Sequence, residues 1–447
     1  MAGDRNPAND RWLGTVIVSL TGQPPGTWVE LSKPIPGLRP VKDGGCLSVL
    51  QETLLFIAKG NKTCDFYCYN TNPNQDSWMK KADVPWGNGP KIKMVKKGAK
   101  MVGDGERYIY LLKGNNTFEF YRYDLAQDSW KSLPDVPFGL GKKIKDGAAM
   151  AYCKIGDMPF IYLLKGSKTT EFYRFNVLWD TWEIMPNAPP GKKIGYKGGS
   201  ALTYDSENQI LYLLKGVTNE MFSYDILRDT WLTKPIAGMP LINRLVGKSK
   251  KVKAGGSLCL LSPNAIYALK GGNTNEFWFF QPQTGDSGRW FGIVSLPDIG
   301  TDGKKKKVKD GGDLIALSYH NQPALIALKG NKTERIWKWS ADSMAVFTPN
   351  KEIAAHGVSV AEHYALPQFQ IKPNPINENA FIEFNLPKLS NVSVNLYNII
   401  GQNINQLKTV KQNGTIILQT KNIPAGVYLL KLEADKFRVM RKIIISH

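Results

Sequence analysis

The same short pattern occurs six times along this chain of 447 residues, and it restricts the fold more than any other feature. Each copy ends an apolar run with Lys and Gly, as in Leu111-Leu112-Lys113-Gly114. Successive lysines of the pattern are 50 to 59 residues apart, a period that is typical of repeat architectures. We call them the Lys-Gly lysines; they are Lys59, Lys113, Lys165, Lys215, Lys270 and Lys329.

The first five repeats each contain four short segments with the composition of β-strands, and the sixth contains the first three of them. The first segment opens with Val or Ile, Lys, a variable residue, Gly, and then Gly or Ala. The fourth copy departs from this pattern, with Tyr196 interpreted as standing at the Lys position and Lys197 next. A second segment ends at Lys-Gly, a third alternates aromatic residues, and a fourth carries a Trp, which together are typical of a propeller blade. The lysines that open the copies, the motif lysines, are Lys42, Lys96, Lys145, Lys197, Lys253 and Lys309.

The sixth copy lacks its fourth strand, and a matching segment lies near the start of the chain. Gly26-Thr27-Trp28 corresponds to Asp128-Ser129-Trp130 of the second repeat. We therefore predict an all-β fold in which residues 26–340 form a six-bladed β-propeller that is closed by the N-terminal strand. Residues 1–25 would be an N-terminal extension. Closure would remove the sheet edges that an open array leaves exposed.

Residues 26–340 resemble the kelch family of β-propellers. The resemblance rests on Gly pairs such as Gly44-Gly45 and on a spacing of seven residues between an aromatic residue and a Trp, as from Tyr123 to Trp130. The chain departs from the family at the end of the second strand, where Lys-Gly replaces Gly-Gly and only Gly271-Gly272 keeps a pair. The resemblance implies the propeller fold and no particular function, because a fold alone does not assign one.

The composition changes near residue 341. Residues 341–368 lack the repeat and are predicted to be a linker, whereas residues 369–447 alternate apolar and polar side chains, which favours a small antiparallel β-sandwich. Pro-Asn-Pro, Tyr-Asn-Ile-x-Gly-Gln, Pro-Ala-Gly-Val-Tyr and a basic-aliphatic tail follow one another in this segment. These motifs closely resemble the type A C-terminal sorting domain of the type IX secretion system of the Bacteroidetes group.

The second resemblance implies a secreted or cell-surface protein that is handled by the type IX secretion machinery. A sorting domain needs a secretory signal upstream, and none is evident at Met1–Arg5, so a truncated reading frame is expected. No apolar run reaches the length of a transmembrane helix, so no membrane span is predicted.

Residue types that carry catalysis are sparse and scattered. The chain has four His residues, three of them outside the repeats, and it has no nucleophile motif or phosphate-binding loop. Its five Cys residues have no spacing that indicates a disulfide framework, and Cys64 and Cys68 lack further metal ligands nearby in sequence. We therefore predict no catalytic residue, no cofactor and no metal site.

The formal net charge is +20, and the lysines concentrate between the fourth strand of one repeat and the first strand of the next. In an up-and-down blade these connections emerge at the same end as the turns between the second and third strands, which hold Lys62, Lys168 and Lys332. If the first strand lines the central channel, the motif lysines surround its mouth. Clustered positive charge attracts anions, although charge-rich loops can also be solvated surface only.

The Lys-Gly lysines are a secondary set for which a structural role is also expected. An acidic residue follows the Gly by four or five positions in five of the copies, at Asp65, Glu119, Glu171, Glu220 and Glu276. Across a hairpin each acid can face the preceding Lys, so repeated cross-strand ion pairs are expected. The aromatic residues of the third strand and the Trp residues of the fourth strand are expected to pack between blades. Aromatic side chains for sugar stacking are expected in loops, at Trp86, Phe138 and Trp179.

Three functions remain open from the sequence. The first is a binding protein whose Lys-rich surface takes an acidic polysaccharide or another polyanion. Extracellular nucleic acid is the least favoured polyanion, because the surface is rich in Lys rather than in Arg and exposed aromatic residues. The second is a structural or assembly protein that docks a protein partner through the propeller. The third is an extracellular glycan-active enzyme.

Overall fold

The computed structural model describes residues 26–341, except 88, 90, 244–246 and 283–286, and residues 368–446, except 373–374, 399–401 and 435–436. The predicted extension at residues 1–25, and all of the predicted linker except its two end residues, lie outside the described residues. The chain divides into two compact units between Thr348 and Pro349. Each unit is described separately.

The described part of the first unit consists of four-stranded antiparallel sheets and contains no helix. In five sheets the strands lie side by side in chain order, because short hairpin turns connect them. These strands are β2 (Cys46–Leu50), β3 (Leu54–Ala58), β4 (Phe66–Asn70) and β5 (Ser77–Lys80); β6 (Lys100–Gly103), β7 (Tyr108–Leu112), β8 (Phe120–Asp124) and β9 (Ser129–Leu133); β10 (Ala149–Ile155), β11 (Met158–Leu164), β12 (Phe172–Asn176) and β13 (Thr181–Met185); β14 (Ala201–Asp205), β15 (Ile210–Leu214), β16 (Met221–Asp225) and β17 (Thr230–Trp231); and β18 (Ser257–Ser262), β19 (Ala265–Leu269), β20 (Phe277–Gln281) and β21 (Arg289–Ile293).

The sixth sheet combines the two ends of the repeat region. It contains β22 (Asp313–Tyr319), β23 (Gln322–Leu328) and β24 (Ile336–Ala341), followed by β1 (Gly26–Glu30). β1 pairs antiparallel with β24, with Trp28 opposite Trp339. The all-β class and the repeated four-stranded sheets are confirmed, and they are consistent with a β-propeller.

The first strands of the sheets contact one another in cyclic order, and β22 of the sixth sheet contacts β2 of the first. Apolar side chains of the second and third strands fill the space between adjacent sheets. Tyr110, Ile161 and Phe175, for example, belong to one buried cluster that the second and third sheets share. The fourth strands are the most exposed; in β9, for example, three of the five residues are exposed. This gradient places the first three strands inside and the fourth at the outer edge.

Each fourth strand is tied to the neighbouring sheet by its Trp. The indole Nε1 of Trp130 donates a hydrogen bond of 2.9 Å to the carbonyl of Ala82, which follows the fourth strand of the first sheet. The same bond recurs from Trp78, Trp182, Trp231 and Trp290, and Trp28 of β1 donates to Val294 after the fifth sheet at 2.9 Å. Trp28 therefore occupies the position in the sixth sheet that the other Trp residues occupy in theirs.

The second unit is a five-stranded antiparallel arrangement of β25 (Gln368–Lys372), β26 (Asn379–Tyr397), β27 (Asn403–Gln419), β28 (Gly426–Ala434) and β29 (Phe437–Ile445). The long β26 pairs with β27 along most of its length, with β25 near its beginning and with β28 near its end. Alternate side chains such as Ile382, Val394 and Leu430 form its buried core. The predicted antiparallel β-structure is therefore present in the described part of this segment.

Candidate ligand-binding face

The connections between sheets and the turns between second and third strands lie at one end of the first unit. The backbone N–H of Lys62 donates to the carbonyl of Val95 at 3.1 Å, and Lys168 and Lys332 bond in the same way to Tyr196 and Val41. We call this end the Lys-rich face. Its connections are residues 31–45, 81–99, 134–148, 186–200, 232–256 and 294–312, and its turns are residues 60–65, 114–119, 166–171, 216–220, 271–276 and 330–335.

Glycine is required beside every motif lysine. Gly44 has a φ of 86°, and a Cβ atom at this position would overlap the carbonyl of Lys96 in the next sheet. The corresponding glycines have φ between 75° and 97°, and each abuts the backbone of the motif lysine that follows in cyclic order, ending with Gly311 against Lys42. Side chains disfavour this backbone conformation, so the motif is a turn before the first strand rather than the predicted start of that strand.

The fourth copy does not depart from the pattern in space. The backbone N–H of Tyr196 donates to the carbonyl of Thr169, as that of Ile144 does to Thr117 in the preceding sheet. Tyr196 is fully buried and therefore takes the place of the apolar Val or Ile, not of the Lys. The interpretation that Tyr196 stands at the Lys position is wrong, and Lys197 is the equivalent of the other motif lysines.

The motif lysines differ in exposure. Lys145, Lys197, Lys253 and Lys309 are exposed, and Lys42 and Lys96 are half-buried. Lys42 has a carboxylate nearby, that of Asp43 at 3.9 Å; the other five make no ion pair with any described residue. None of the six is among the residues that line the central cavity, and their placement around its mouth stays a prediction.

The variable residue and the glycines of the motif line the cavity instead. It measures about 60 Å³, which suits water molecules rather than a sugar residue. Asp43, Asp146 and Asp310 face it, together with Lys97 and Lys100. Lys97 is 3.3 Å from Asp146, and Lys100 is 3.5 Å from Asp313. Because acids and lysines are mixed there, the positive surface is the outer part of the Lys-rich face.

The Lys-Gly lysines are almost completely buried, with at most 2% of each residue exposed. Lys165 Nζ donates to the carbonyls of Pro137 and Phe138 at 2.9 and 2.8 Å. Both carbonyls belong to the connection that leads into the sheet of Lys165. Lys59, Lys215, Lys270 and Lys329 likewise donate to carbonyls of the connections that lead into their own sheets. These five lysines therefore hold the loops of the Lys-rich face, and none of the six Lys-Gly lysines offers a surface to a ligand.

The predicted cross-strand ion pairs form in three sheets. The distances are 2.7 Å for Lys113–Glu119, 3.1 Å for Lys165–Glu171 and 2.7 Å for Lys270–Glu276. The other two predicted pairs are wrong. Asp65 lies 3.7 Å from Lys80, and Glu220 accepts the backbone N–H of Lys192 at 2.9 Å.

An aromatic ring accompanies each Lys-Gly lysine. Lys270 Nζ lies 4.8 Å from the centroid of Trp278, and Lys329 Nζ lies 4.5 Å from that of Trp337. In the fourth sheet Tyr196, at 4.5 Å from Lys215 Nζ, replaces the third-strand aromatic residue. The aromatic residues thus pack in the core, as predicted, and also face a buried cation, which stabilises the ammonium by a cation–π interaction.

Burial disfavours the charged form of these groups. It lowers the pKa of Lys59, Lys215, Lys270 and Lys329, and nearby acids such as Glu276 beside Lys270 oppose this change. Burial would raise the pKa of Glu171, but hydrogen bonds from Tyr173, Leu140 and Lys165 hold it below its ordinary value. The Lys165–Glu171 site is therefore built for an ionised carboxylate.

The remaining lysines of the Lys-rich face lie in its connections and face solvent. Few have partners: Lys305 is 3.2 Å from Asp298, and Lys93 donates to the carbonyl of Asn116 at 3.0 Å. The exposed members include Lys91, Lys142, Lys143, Lys192, Lys193, Lys248, Lys250, Lys251 and Lys304. Trp86 and Phe138 are exposed on the same face, whereas Trp179 is exposed in a turn at the opposite end.

The described residues contain few groups that could bind a metal ion or carry out catalysis. They contain no group of three or more His, Cys, Asp or Glu residues that could hold a metal ion. The five cysteines are buried free thiols. His320 lies at the opposite end, with Nε2 3.1 Å from Asp76, and His356, His363 and His447 are outside the described residues. In the same ranges, no helix is long and apolar enough to cross a membrane.

Residues 370–446 match the family model described as the secretion system C-terminal sorting domain. This type IX domain indicates that the protein is secreted or displayed at the cell surface, and it implies handling by the type IX secretion machinery. The localisation predicted from the sequence is confirmed.

One solved structure of low sequence identity shares the fold, and two others match at lower TM-scores. A protein of unknown function from Bacteroides thetaiotaomicron is 10% identical, with a TM-score of 0.50, over 71% of this chain and 76% of that one. YjhT is 13% identical with a TM-score of 0.42, over 69% of this chain and 94% of its own. U3-55K is 13% identical with a TM-score of 0.43, over 69% and 97%. No curated protein matches the chain.

Proposed function

We propose that the Lys-rich face binds an acidic ligand outside the cell, with an anionic polysaccharide as the leading candidate. The observation that carries this proposal is the state of the motif lysines. They recur once per sheet at one end, and five of them make no ion pair with any described residue. Like charges held close together repel, so their grouping favours a ligand that neutralises them.

Rigid loops strengthen the case for a binding surface. Buried Lys-Gly lysines fix the connections that carry the exposed lysines, as Lys165 does at Pro137 and Phe138. A cationic surface that is already ordered loses little conformational entropy when a ligand binds. Lys side chains approach an anion as point charges and do not demand the planar geometry that Arg recognises. Such a surface suits the varied carboxylates and sulfates of an acidic polysaccharide.

The proposal includes a closed, six-bladed, kelch-like propeller spanning residues 26–340. The Trp28 hydrogen bond to Val294 and the close approach of Gly311 to Lys42 support closure by the N-terminal strand. A closed disc places one motif lysine at each junction between sheets. It therefore supplies positive charge around the whole face.

A quadruple variant of the full chain tests this function. Lys42→Ala, Lys145→Ala, Lys253→Ala and Lys309→Ala together should weaken binding of polygalacturonate at least tenfold and make the remaining affinity less dependent on salt, because fewer counterions are released. The matched control replaces four exposed lysines elsewhere, Lys131, Lys154, Lys372 and Lys408, and changes the net charge equally. An equal loss of affinity in both variants would show that net charge alone, and not the motif lysines, determines binding. Unchanged binding by the quadruple motif-lysine variant would refute the proposed site.

A further inference from the structure

Exposed apolar side chains accompany the lysines in every connection of the Lys-rich face. Leu38 is fully exposed, Ile194 is 82% exposed and Leu140 is 72% exposed. A single exposed apolar residue is ordinary, but its recurrence in all six connections is not. The full set is Leu38, Trp86, Ile92, Phe138, Leu140, Ile194, Leu241, Ile242, Val294 and Ile299.

Buried lysines hold the backbone beside four of these apolar side chains. Lys59 holds the carbonyl of Gly37, directly before Leu38, at 3.2 Å. Lys270 holds the carbonyl of Leu241 at 3.1 Å. Lys165 and Lys215 hold carbonyls of Phe138 and of Lys193, which precedes Ile194. Because the backbone is fixed beside these side chains, their exposure is built into the loops.

The opposite end of the first unit carries the opposite charge. Its turns hold many acidic residues and few basic ones. The acids include Glu52, Asp76, Asp104, Glu106, Asp157, Asp180, Glu207 and Asp229. A molecule with charge separated in this way turns its positive end toward an anionic surface.

The chemistry of the apolar set distinguishes among anionic surfaces. Eight of the ten are aliphatic, and only Trp86 and Phe138 offer a flat aromatic face for a sugar ring. Aliphatic side chains surrounded by lysines are typical of proteins that lie on a bilayer, where the apolar groups enter the acyl boundary and the lysines contact anionic headgroups. We propose that the Lys-rich face docks on an anionic lipid bilayer. This inference rests on the proposed function, since it uses the same face and the same lysines.

The test measures binding of the full chain to two probes. The first probe is vesicles of about three parts phosphatidylcholine to one part phosphatidylglycerol, and the second is polygalacturonate. A loop variant combines Leu38→Ser, Leu140→Ser and Ile194→Ser, and the control variant combines Leu178→Ser, Trp179→Ser and Leu227→Ser, three exposed residues of the opposite end. We expect the loop variant to bind vesicles at least tenfold more weakly and polygalacturonate normally. The control variant should bind both probes like the unchanged protein.

The outcomes separate this inference from the proposed function. Bilayer docking would be overturned if the loop variant bound vesicles as tightly as the unchanged protein. It would also be overturned if the unchanged protein bound polygalacturonate but did not bind anionic vesicles. Equal binding to vesicles of phosphatidylcholine alone would also overturn it, because the lysines would then contribute nothing. Loss of both probes in the quadruple lysine variant, with loss of vesicles alone in the loop variant, would support both proposals.

Discussion

Replacement of Lys165 by Met tests the role of the buried lysines most directly. Met retains much of the apolar stem but removes the ammonium that contacts Pro137, Phe138 and Glu171. The Glu171 side chain is only 7% exposed, so its carboxylate would remain buried without its cation. Breaking a buried ion pair in this way costs about 3–5 kcal/mol of unfolding free energy.

Lys329→Met is the matched comparison. Lys329 is buried to a similar extent and donates to the carbonyl of Pro297, but it makes no ion pair with a described carboxylate. Its loss leaves one carbonyl without a donor and removes a cation–π contact with Trp337, which together cost about 1–2 kcal/mol. We therefore expect Lys165→Met to be more destabilising than Lys329→Met by about 2 kcal/mol.

Urea unfolding followed by Trp fluorescence measures this difference. All twelve Trp residues precede residue 340, so the signal reports on the first unit and not on the sorting domain. Adding Glu171→Gln to Lys165→Met should recover about 1 kcal/mol or more, because the stranded charge is removed. Equal losses from the two single variants, or no recovery in the double variant, would refute the reasoning.

Three further predictions concern the backbone, the N-terminal strand and pH. Gly44→Ala should lower the unfolding free energy in urea by about 3 kcal/mol, because it combines positive φ with overlap on the backbone of Lys96. Gly105→Ala has open space around it and should lower the unfolding free energy by only about 1 kcal/mol. Similar losses from the two variants would contradict the packing argument. Trp28→Phe should lower the unfolding free energy by about 1 kcal/mol, because the indole hydrogen bond is lost. An unchanged value would show that this bond of β1 does not stabilise the unit. Four Lys-Gly lysines have a folded pKa below the unfolded value of 10.5, so the unfolded chain binds more protons and stability should rise as the pH increases toward 10. Burial raises the pKa of Tyr69 to about 12 from 10.0, so its contribution is lost above pH 10, and a denaturation series that falls steadily from pH 8 would contradict this balance.

The repeat predicts the strands well, because hairpins and alternating side chains are local properties of the sequence. The Trp of each fourth strand and the aromatic residues of each third strand lie where their spacing indicates. The register of the fourth copy was the exception. Tyr196 fills the apolar position, and the shift is evident only from its hydrogen bond with Thr169.

The motif residue that lines the cavity could not be predicted from spacing alone. The sequence placed the motif at the start of the first strand, but glycines of positive φ turn the backbone before that strand begins. The residue after the Lys, such as Asp43 or Lys97, lines the cavity, and the Lys does not. Only the backbone conformation decides between these two neighbours.

The partners of the buried lysines depended on contacts that are distant in sequence. An acid at a fixed spacing predicted one ion pair per sheet, yet Glu220 turns to the backbone of Lys192 instead. Lys215 then relies on carbonyls of the connection and on the face of Tyr196. Spacing indicates that an acid is within reach, but a competing donor nearby decides whether the pair forms.

The two sets of lysines complement each other in the proposed function. An exposed cationic loop repels its neighbours and would tend to move apart from them, unless something inside the protein holds its backbone. Lys165 and Lys270 provide such a hold, because their ammonium groups bind loop carbonyls in a site from which water is excluded. Salt screens exposed charges far more than buried ones. High salt should therefore release an acidic ligand while leaving the loops in place, so that binding and folding respond to ionic strength separately.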